Sequence, residues 1–283
     1  MMSNTPNTSD RNAPITTSEP STISIWQQNI NKSHICQHDL ISSAILAKKG
    51  IDLIALQEPS INNFGNTIAS RDWSPVYPTT HGKEPHKTCS VLLIRNNLLT
   101  ENSKQLDFPS GDVTVVKLNG TWGELTIYNI YNDCNSNDTV HLLKRFNRDH
   151  ASPSEPMAER ASYTIWLRDF NRHHPHWDDP TDTRLFTRSA LNNTEILISV
   201  VAEAGLNMAL PSSIPTHFHN ISKRWTRLDQ VFISEEALDM IITCEALKNV
   251  PGINTNHLPI LTTLDLNLAR APSSSPKNFR NVD

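Results

Sequence analysis

Apolar and polar residues follow two rhythms along this chain. Short runs rich in β-branched and aromatic residues recur at 24–29, 51–57, 90–95, 113–118, 123–131, 163–168, 227–234 and 257–264. Runs of that length and composition, bounded by turn formers, predict strands. Residues 37–49 instead carry Leu40, Ile41, Ala44, Ile45 and Ala47 as a helical stripe, closed by Gly50. Residues 195–205 read as a second helix, closed by Gly205. Many strands, few helices and no internal repeat predict two packed sheets with helices outside.

The richest run is 163–177, YTIWLRDFNRHHPHW. It climbs to Leu167 and then stops on Asp169 and Asn171. Side chains two apart in a strand share a face, and burying a carboxylate and an amide without purpose is costly. A polar site at a sheet end follows, with Asp169 able to take a proton or hold a metal. Asn29, Glu58 and Tyr131 lie at the trailing ends of other strands; Asp229 and His257 lie at the leading ends of two more. Each alone reads as a cap or a turn residue. If the last two strands run opposite to the others, all of them converge on one rim, and a shared rim reads as a site.

Composition narrows the setting. The chain has 283 residues, 37% of them apolar. Residues 1–21 and 270–283 are rich in Ser, Asn and Pro and read as disordered tails, leaving 22–269 as a single α/β domain. A net charge of −4 argues against an unselective basic coat for nucleic acid, but leaves room for a local basic rim. No apolar run reaches membrane-spanning length, and no secretory signal opens the chain, so no membrane partner is expected and the compartment reads as cytosol or nucleus. Cys36, Cys89, Cys134 and Cys244 form no Cys-x-x-Cys pair, and reduced thiols are expected.

The ordered segments Gln28-Asn-Ile-Asn-Lys-Ser33, Leu56-Gln-Glu-Pro59, Ile127-Tyr-Asn-Ile-Tyr-Asn132, Arg168-Asp-Phe-Asn-Arg-His-His-Pro175, Pro215-Thr-His-Phe218, Arg227-Leu-Asp229 and Asn256-His-Leu-Pro-Ile260 carry a resemblance. In this order and spacing the chain resembles the endonuclease/exonuclease/phosphatase family. It looks closest to the apurinic-like endonuclease domain of non-LTR retrotransposons, fungal ones in particular. The resemblance implies a four-layer α/β/β/α sandwich, DNase I-like, with two mostly antiparallel or mixed sheets. It implies hydrolysis of a phosphodiester in DNA with Mg2+, Mn2+ being a possible substitute, and no organic cofactor.

It also implies roles. Glu58 matches the principal metal carboxylate, with Asn31 and Asn256 at further metal positions; Mg2+ prefers such oxygen ligands. Asp169 matches the general base, Asn171 the amide that holds it and the attacking water, and His257 the donor to a phosphate oxygen. Asp229 matches the partner that fixes the histidine tautomer. Tyr131 matches a tyrosine near the scissile phosphate, Asn29 an orienting amide, and Thr216 a hydroxyl on phosphate or base. Arg172, in the same motif as Asp169, is expected to face the substrate.

Some positions depart from the pattern. Arg168 stands where the family has Gly and is expected to point to solvent. Asn256 stands where it has Asp, which weakens the expected metal site. Cys134 stands where it often has Asn, with Asn132 and Asn135 nearby. These departures keep open a decayed, non-catalytic relic, and another phosphodiesterase or phosphatase of the same superfamily. His173, His174 and His176 with Asp178 and Asp179 read as a loop rather than a zinc site. Lys83, His86 and Lys87 form either a basic lip for phosphates or a solvated loop. Residues 222–227 with Trp225 suit either DNA contact or a hairpin tip with a packed Trp.

Overall fold

A computed structural model describes residues 20–98, 103–150, 160–248, 250 and 255–269. The tails expected at 1–21 and 270–283 lie outside these residues, apart from 20 and 21. Residues 151–159 of the polar connection lie outside them too.

In chain order the first half runs β1 (Thr22–Asn29), α1 (His34–Ser42), α2 (Ala44–Lys48), β2 (Leu53–Gln57), β3 (Trp73–Val76), β4 (Ser90–Arg95), β5 (Ser103–Leu106), β6 (Val113–Gly120) and β7 (Gly123–Tyr131). The second half runs α3 (Asp138–His150), β8 (Ser162–Asp169), α4 (Arg188–Glu203), β9 (Leu206–Met208), β10 (His217–His219), β11 (Arg224–Thr226), β12 (Asp229–Ser234), β13 (Ile241–Ala246) and β14 (Ile260–Asp265). The strands form two six-stranded sheets, β13-β14-β1-β2-β4-β3 and β5-β6-β7-β8-β12-β9, and a ribbon of β10 and β11.

Each sheet holds one parallel pair, β1 with β2 and β7 with β8, and the other pairings are antiparallel. Parallel neighbours need a crossover, usually helical. Here α1 and α2 join the first pair and α3 joins the second. The sheets face each other through Ile25, Leu53, Leu92, Ile127, Ile165, Leu167 and Val231. Cys36, Leu40 and Leu46 of the α1–α2 segment cover the outer face of the first sheet. Val140, Leu143, Leu197 and Val200 of α3 and α4 cover that of the second. The result is the expected four-layer sandwich.

The long strands fall where the apolar runs placed them; the helices differ. The first helical stripe is broken at Ser43, whose hydroxyl accepts from the Ile45 N–H at 3.2 Å and caps α2. Ser33 caps α1 in the same way, which moves its start upstream. α4 begins at Arg188 behind the Thr187 cap, about two turns before the apolar stripe. α3 escaped the reading because its buried side is narrow: Val140, Leu143 and Phe146 among charged neighbours.

Below one end of the sandwich a polar layer ties the sheets together. Gln57 Nε2 donates to Asn129 Oδ1 at 2.6 Å, and Gln27 Nε2 donates to the Arg168 carbonyl at 2.9 Å. Asn129 Nδ2 reaches the carbonyls of Leu56 and Val91, each at 2.9 Å. Such buried polar bonds fix the register of one sheet against the other. The strand ends above them form the rim.

Candidate active site

Both parallel pairs point their C-terminal ends at this rim, and β12 enters it from the opposite direction. Asp169 therefore sits beside Tyr131 in the β7–β8 register and opposite Asp229 in the β8–β12 register. Asn29, at the end of β1, reaches across the sheets and donates from Nδ2 to Asp169 Oδ2 at 2.8 Å. The convergence expected from strand direction is present.

Asp169 is fully buried. Its other oxygen accepts from the Asn171 backbone N–H at 3.0 Å. Burial, then repulsion from Asp229, raises its carboxyl to about 6, against the lowering pull of His257 and the Asn29 and Asn171 hydrogen bonds. A carboxylate with that pKa is ionised at neutral pH and still basic enough to accept a proton. Asn171 holds it through the backbone. Its side-chain Nδ2 donates instead to the Asn132 carbonyl at 2.9 Å.

Asp229 accepts from His257 Nδ1 at 2.9 and 3.1 Å. Nδ1 thus carries a proton and Nε2 faces the rim. Burial alone would depress the imidazole, but the charge and hydrogen bond of Asp229, with Asp169 and Glu58, raise it to about 9. His257 is then an imidazolium at neutral pH. The start of β12 is held by Thr216, whose buried hydroxyl accepts from the Asp229 N–H at 3.1 Å. Thr216 supports Asp229; its hydroxyl is not turned to a phosphate or base.

His217 belongs to this site and was passed over. It pairs with His257 in an isolated antiparallel bridge, and the two rings lie 4.6 Å apart. Its Nδ1 meets the Thr226 hydroxyl at 3.1 Å, and its Nε2 meets Asn256 Nδ2 at 2.9 Å. Burial, then the charge of His257, lowers it to about 4, so it is neutral. A neutral ring with Nε2 accepting from the amide must donate from Nδ1 to Thr226. Asn256 is thereby held by its nitrogen, while its carbonyl oxygen accepts a long bond of 3.5 Å from the Thr255 hydroxyl. The signal lay in Pro215-Thr-His-Phe218, one residue past Thr216.

Glu58 is half-buried and follows β2 with φ 46°. Asn31 and Asn171 also have positive φ, each 51°. Non-glycine residues in this region carry backbone strain, which gathers at functional sites. Burial, then hydrogen bonding and charge from Glu58, holds the Tyr131 phenol protonated far above neutral pH. The Asn31 N–H donates to Asn29 Oδ1 at 2.7 Å, while its side chain is exposed.

The rim suits a cation. Glu58, Asp169 and Asp229 face one imidazolium, and among the described residues Glu58 makes no ion pair. Ligand atoms of Asp169, Asp229 and His257 lie within 4.8 Å of one another. That trio is already committed, since His257 Nδ1 and both Asp229 oxygens bind each other. Glu58 meets the Tyr131 phenol and is the rim carboxylate outside that trio.

Other expected positions fall elsewhere. Arg168 does not point to solvent. It is fully buried on the opposite face of β8 from Asp169, as strand alternation requires. Its guanidinium stacks on Phe232 at 3.6 Å, Phe170 at 4.2 Å and Trp177 at 5.7 Å, and none of its nitrogens has a hydrogen-bond partner. Burial, then the charge of Arg227, depresses it well below its usual range. Arg172 is also buried and does not face a substrate. Its guanidinium donates to the carbonyls of Cys134, Asn171 and Ser136 and to Asn137 Oδ1, clamping the loop after β7. Lys83 is exposed on the loop before β4. Trp225, 48% exposed on β11, packs on Phe218 with ring centroids 5.2 Å apart. His173 pairs with Asp178 at 3.2 Å within the loop after β8.

No family model matches the sequence, and no curated protein matches it. Solved structures do match the fold. The endonuclease domain of TRAS1, a telomere-specific non-LTR retrotransposon, aligns with a TM-score of 0.63 at 15% identity, over 86% of this chain and 98% of that one. The fold is DNase I-like. The AP endonuclease LMAP from Leishmania major aligns at 0.68 and 12% identity, over 87% and 88% of the two chains. The 3′ phosphatase NExo from Neisseria, bound to a product DNA hairpin, aligns at 0.59 and 15%, over 86% and 99%. The DNase I-like sandwich thus places two sheet ends together, and the rim described above is where they meet.

Proposed function

We propose that this chain is a divalent-metal-dependent endonuclease of retrotransposon type, which nicks one DNA strand and leaves a 3′-hydroxyl. The observation that carries the reading is the Asp169, Asp229 and His257 arrangement: a base near neutrality opposite a buried imidazolium. Both groups are raised, and at neutral pH the carboxylate stays ionised while the imidazole stays protonated, which suits acid–base division of labour. That solved proteins of the same fold are described as endonucleases, one neighbour being bound to DNA, supports nucleic acid as the substrate class.

In this reading Asp169 takes a proton from a water, and the resulting oxygen attacks phosphorus in line. Asn29 and the Asn171 N–H hold the carboxylate in place. The His257 Nε2–H and the Tyr131 hydroxyl donate to non-bridging oxygens as their charge grows. The P–O3′ bond breaks, and the 3′-oxygen takes up a proton from solvent. Glu58 would hold Mg2+ or Mn2+, with oxygens of Asn31 and Asn256 as neutral neighbours. Such an ion, when bound, supplies charge stabilisation to the phosphate.

The test is a supercoiled plasmid with Mg2+ or Mn2+, followed by polymerase extension from the nick. Extendable nicks are expected. Cleavage of an inositol phosphate but not of DNA would move the chain to another activity of the superfamily. The relic reading rests on the departures at Arg168, Asn256 and Cys134; it expects folded protein and no nick under either metal.

A further inference from the structure

The segment that leaves the rim after Glu58 returns as a closed loop. Asn62 Oδ1 accepts from the N–H groups of Phe64 at 2.9 Å and Asn66 at 3.0 Å. The Asn62 N–H donates to the Asn66 carbonyl, and the Gly65 N–H to the Asn62 carbonyl, each at 2.9 Å. Lower down, Ile61 bridges Thr67. The Thr67 hydroxyl donates to the Ser60 carbonyl at 3.0 Å and accepts from the buried Gln37 Nε2 at 2.7 Å. Gly65 has φ +80° and lies against Pro85, where a β-carbon would come within 3.2 Å of the Pro85 Cβ. The tip is therefore fixed without help from Phe64, whose side chain is 89% exposed. A rigid tip that offers a bare aromatic ring presents a ready stacking surface.

Beside this ring runs a groove of about 590 Å3, of nucleotide size. Lys32, Ser60, Asn62, Phe64, His86 and Thr88 are among its walls, and no carboxylate lines it. The Lys32 N–H donates to the Glu58 carbonyl at 2.8 Å and Pro59 lines the groove, so this wall adjoins the candidate active site. Among the described residues Lys32 makes no ion pair, whereas the nearby Lys87 is tied to Glu84. In a chain of net charge −4, a carboxylate-free wall with an available lysine is where a phosphate can approach three rim carboxylates.

We infer that this groove is a nucleotide subsite. It takes one unstacked nucleotide of the DNA strand, with the base on the Phe64 ring and the phosphate at Lys32. The inference rests on the endonuclease reading and adds a preference that reading lacks, for DNA with a locally unpaired base.

The probe is a fluorescein-labelled duplex with a two-nucleotide bulge containing 2-aminopurine, beside the same duplex without the bulge. Binding to the full chain is followed by anisotropy in EDTA, which holds turnover off. Phe64→Ala should weaken the bulged duplex roughly 5- to 100-fold and the perfect duplex less than about 2-fold. It should also abolish the quenching of 2-aminopurine, and Phe64→Trp should keep both properties. Lys32→Ala should weaken both duplexes and lower the salt slope by about one. Because Phe64 is exposed, its removal leaves the melting temperature unchanged, which separates lost stacking from misfolding. Wild-type affinity for the bulge in Phe64→Ala, or equal losses on both duplexes, overturns the subsite. Nicking without bulge preference overturns the subsite alone. Bulge-selective binding without nicking overturns the endonuclease reading alone, and no binding to any DNA overturns both.

Discussion

Replacing Asp229 by Asn keeps the shape of the residue facing His257 and removes its charge. Both Asp229 oxygens accept from Nδ1, at 2.9 and 3.1 Å. Burial alone pulls His257 down, and the charge and hydrogen bond of Asp229 lead the groups that lift it to about 9. Without that counter-charge the leading groups that lift the ring are gone, and it is expected to fall toward its ordinary value of 6.5. That fall amounts to roughly 3 kcal/mol of lost preference for the imidazolium. At pH 7.5 the protonated share drops from nearly all to about a tenth or less. The neutral ring also loses the partner that fixed its tautomer. Asp229→Asn should therefore slow nicking on the order of 100-fold at pH 7.5. The basic limb of the rate–pH profile should move from near 9 in the wild type to below 7. The assay is initial nicking rate across the pH range for both proteins, with the His257 titration followed by NMR. A basic limb that stays near 9, with less than about a 5-fold loss of rate, would refute the assignment of His257 as a cation held by Asp229.

Arg168→Met should stabilise the fold, since a buried guanidinium without acceptors gives way to an apolar side chain of similar length among aromatic rings. The gain is about 1–4 kcal/mol, or roughly 2–4 °C per kcal/mol in the calorimetric midpoint, and a lowered midpoint would contradict it. Asn256→Asp adds a charge beside the proposed metal position and should lower the Mg2+ concentration for half-maximal nicking several-fold; an unchanged Mg2+ titration would remove Asn256 from the metal. In EDTA, urea unfolding should show a falling stability as pH rises from 7 to 10. His257 binds its proton more tightly when folded, so its contribution is complete below 6.5 and lost as pH passes through about 9, roughly 3 kcal/mol in all. Asp169, also raised, has the same sign at lower pH, its contribution fading between 3.8 and about 6. A flat profile above pH 7 in the wild type, or a slope retained in Asp229→Asn, would count against the pair.

Strand runs were legible because each has its own apolar period, and the rim followed from strand direction once Asp169 and Asp229 were taken as opposite ends of neighbours. What the sequence hid depends on contacts between distant segments. Nothing local marks Arg168 as buried: its cage is Phe170 beside it, Trp177 in the next loop and Phe232 on β12. Arg172 reads as a substrate cation until the loop after β7 folds over it and supplies three acceptors, with the Asn171 carbonyl as a fourth. Asn256 reads as a metal ligand, yet its nitrogen is taken by His217, which the bridge between the two segments brings within reach. Thr216 was legible as part of the site but not in its task, because its partner is a backbone N–H rather than a side chain. α3 was obscured by its charged majority, with the signal confined to the spacing of a few buried positions.

The central claim is that Asp169, opposite Asp229 and His257, removes a proton from the water that attacks a DNA phosphodiester. Single-turnover nicking of a plasmid in Mg2+, with wild-type and Asp169→Ala proteins of matched folded content, tests it most directly. The account predicts nicks with extendable 3′-hydroxyls in the wild type and a loss of about 100-fold or more in the variant. Nicking that survives Asp169→Ala, or none in the folded wild type with either Mg2+ or Mn2+, would contradict it.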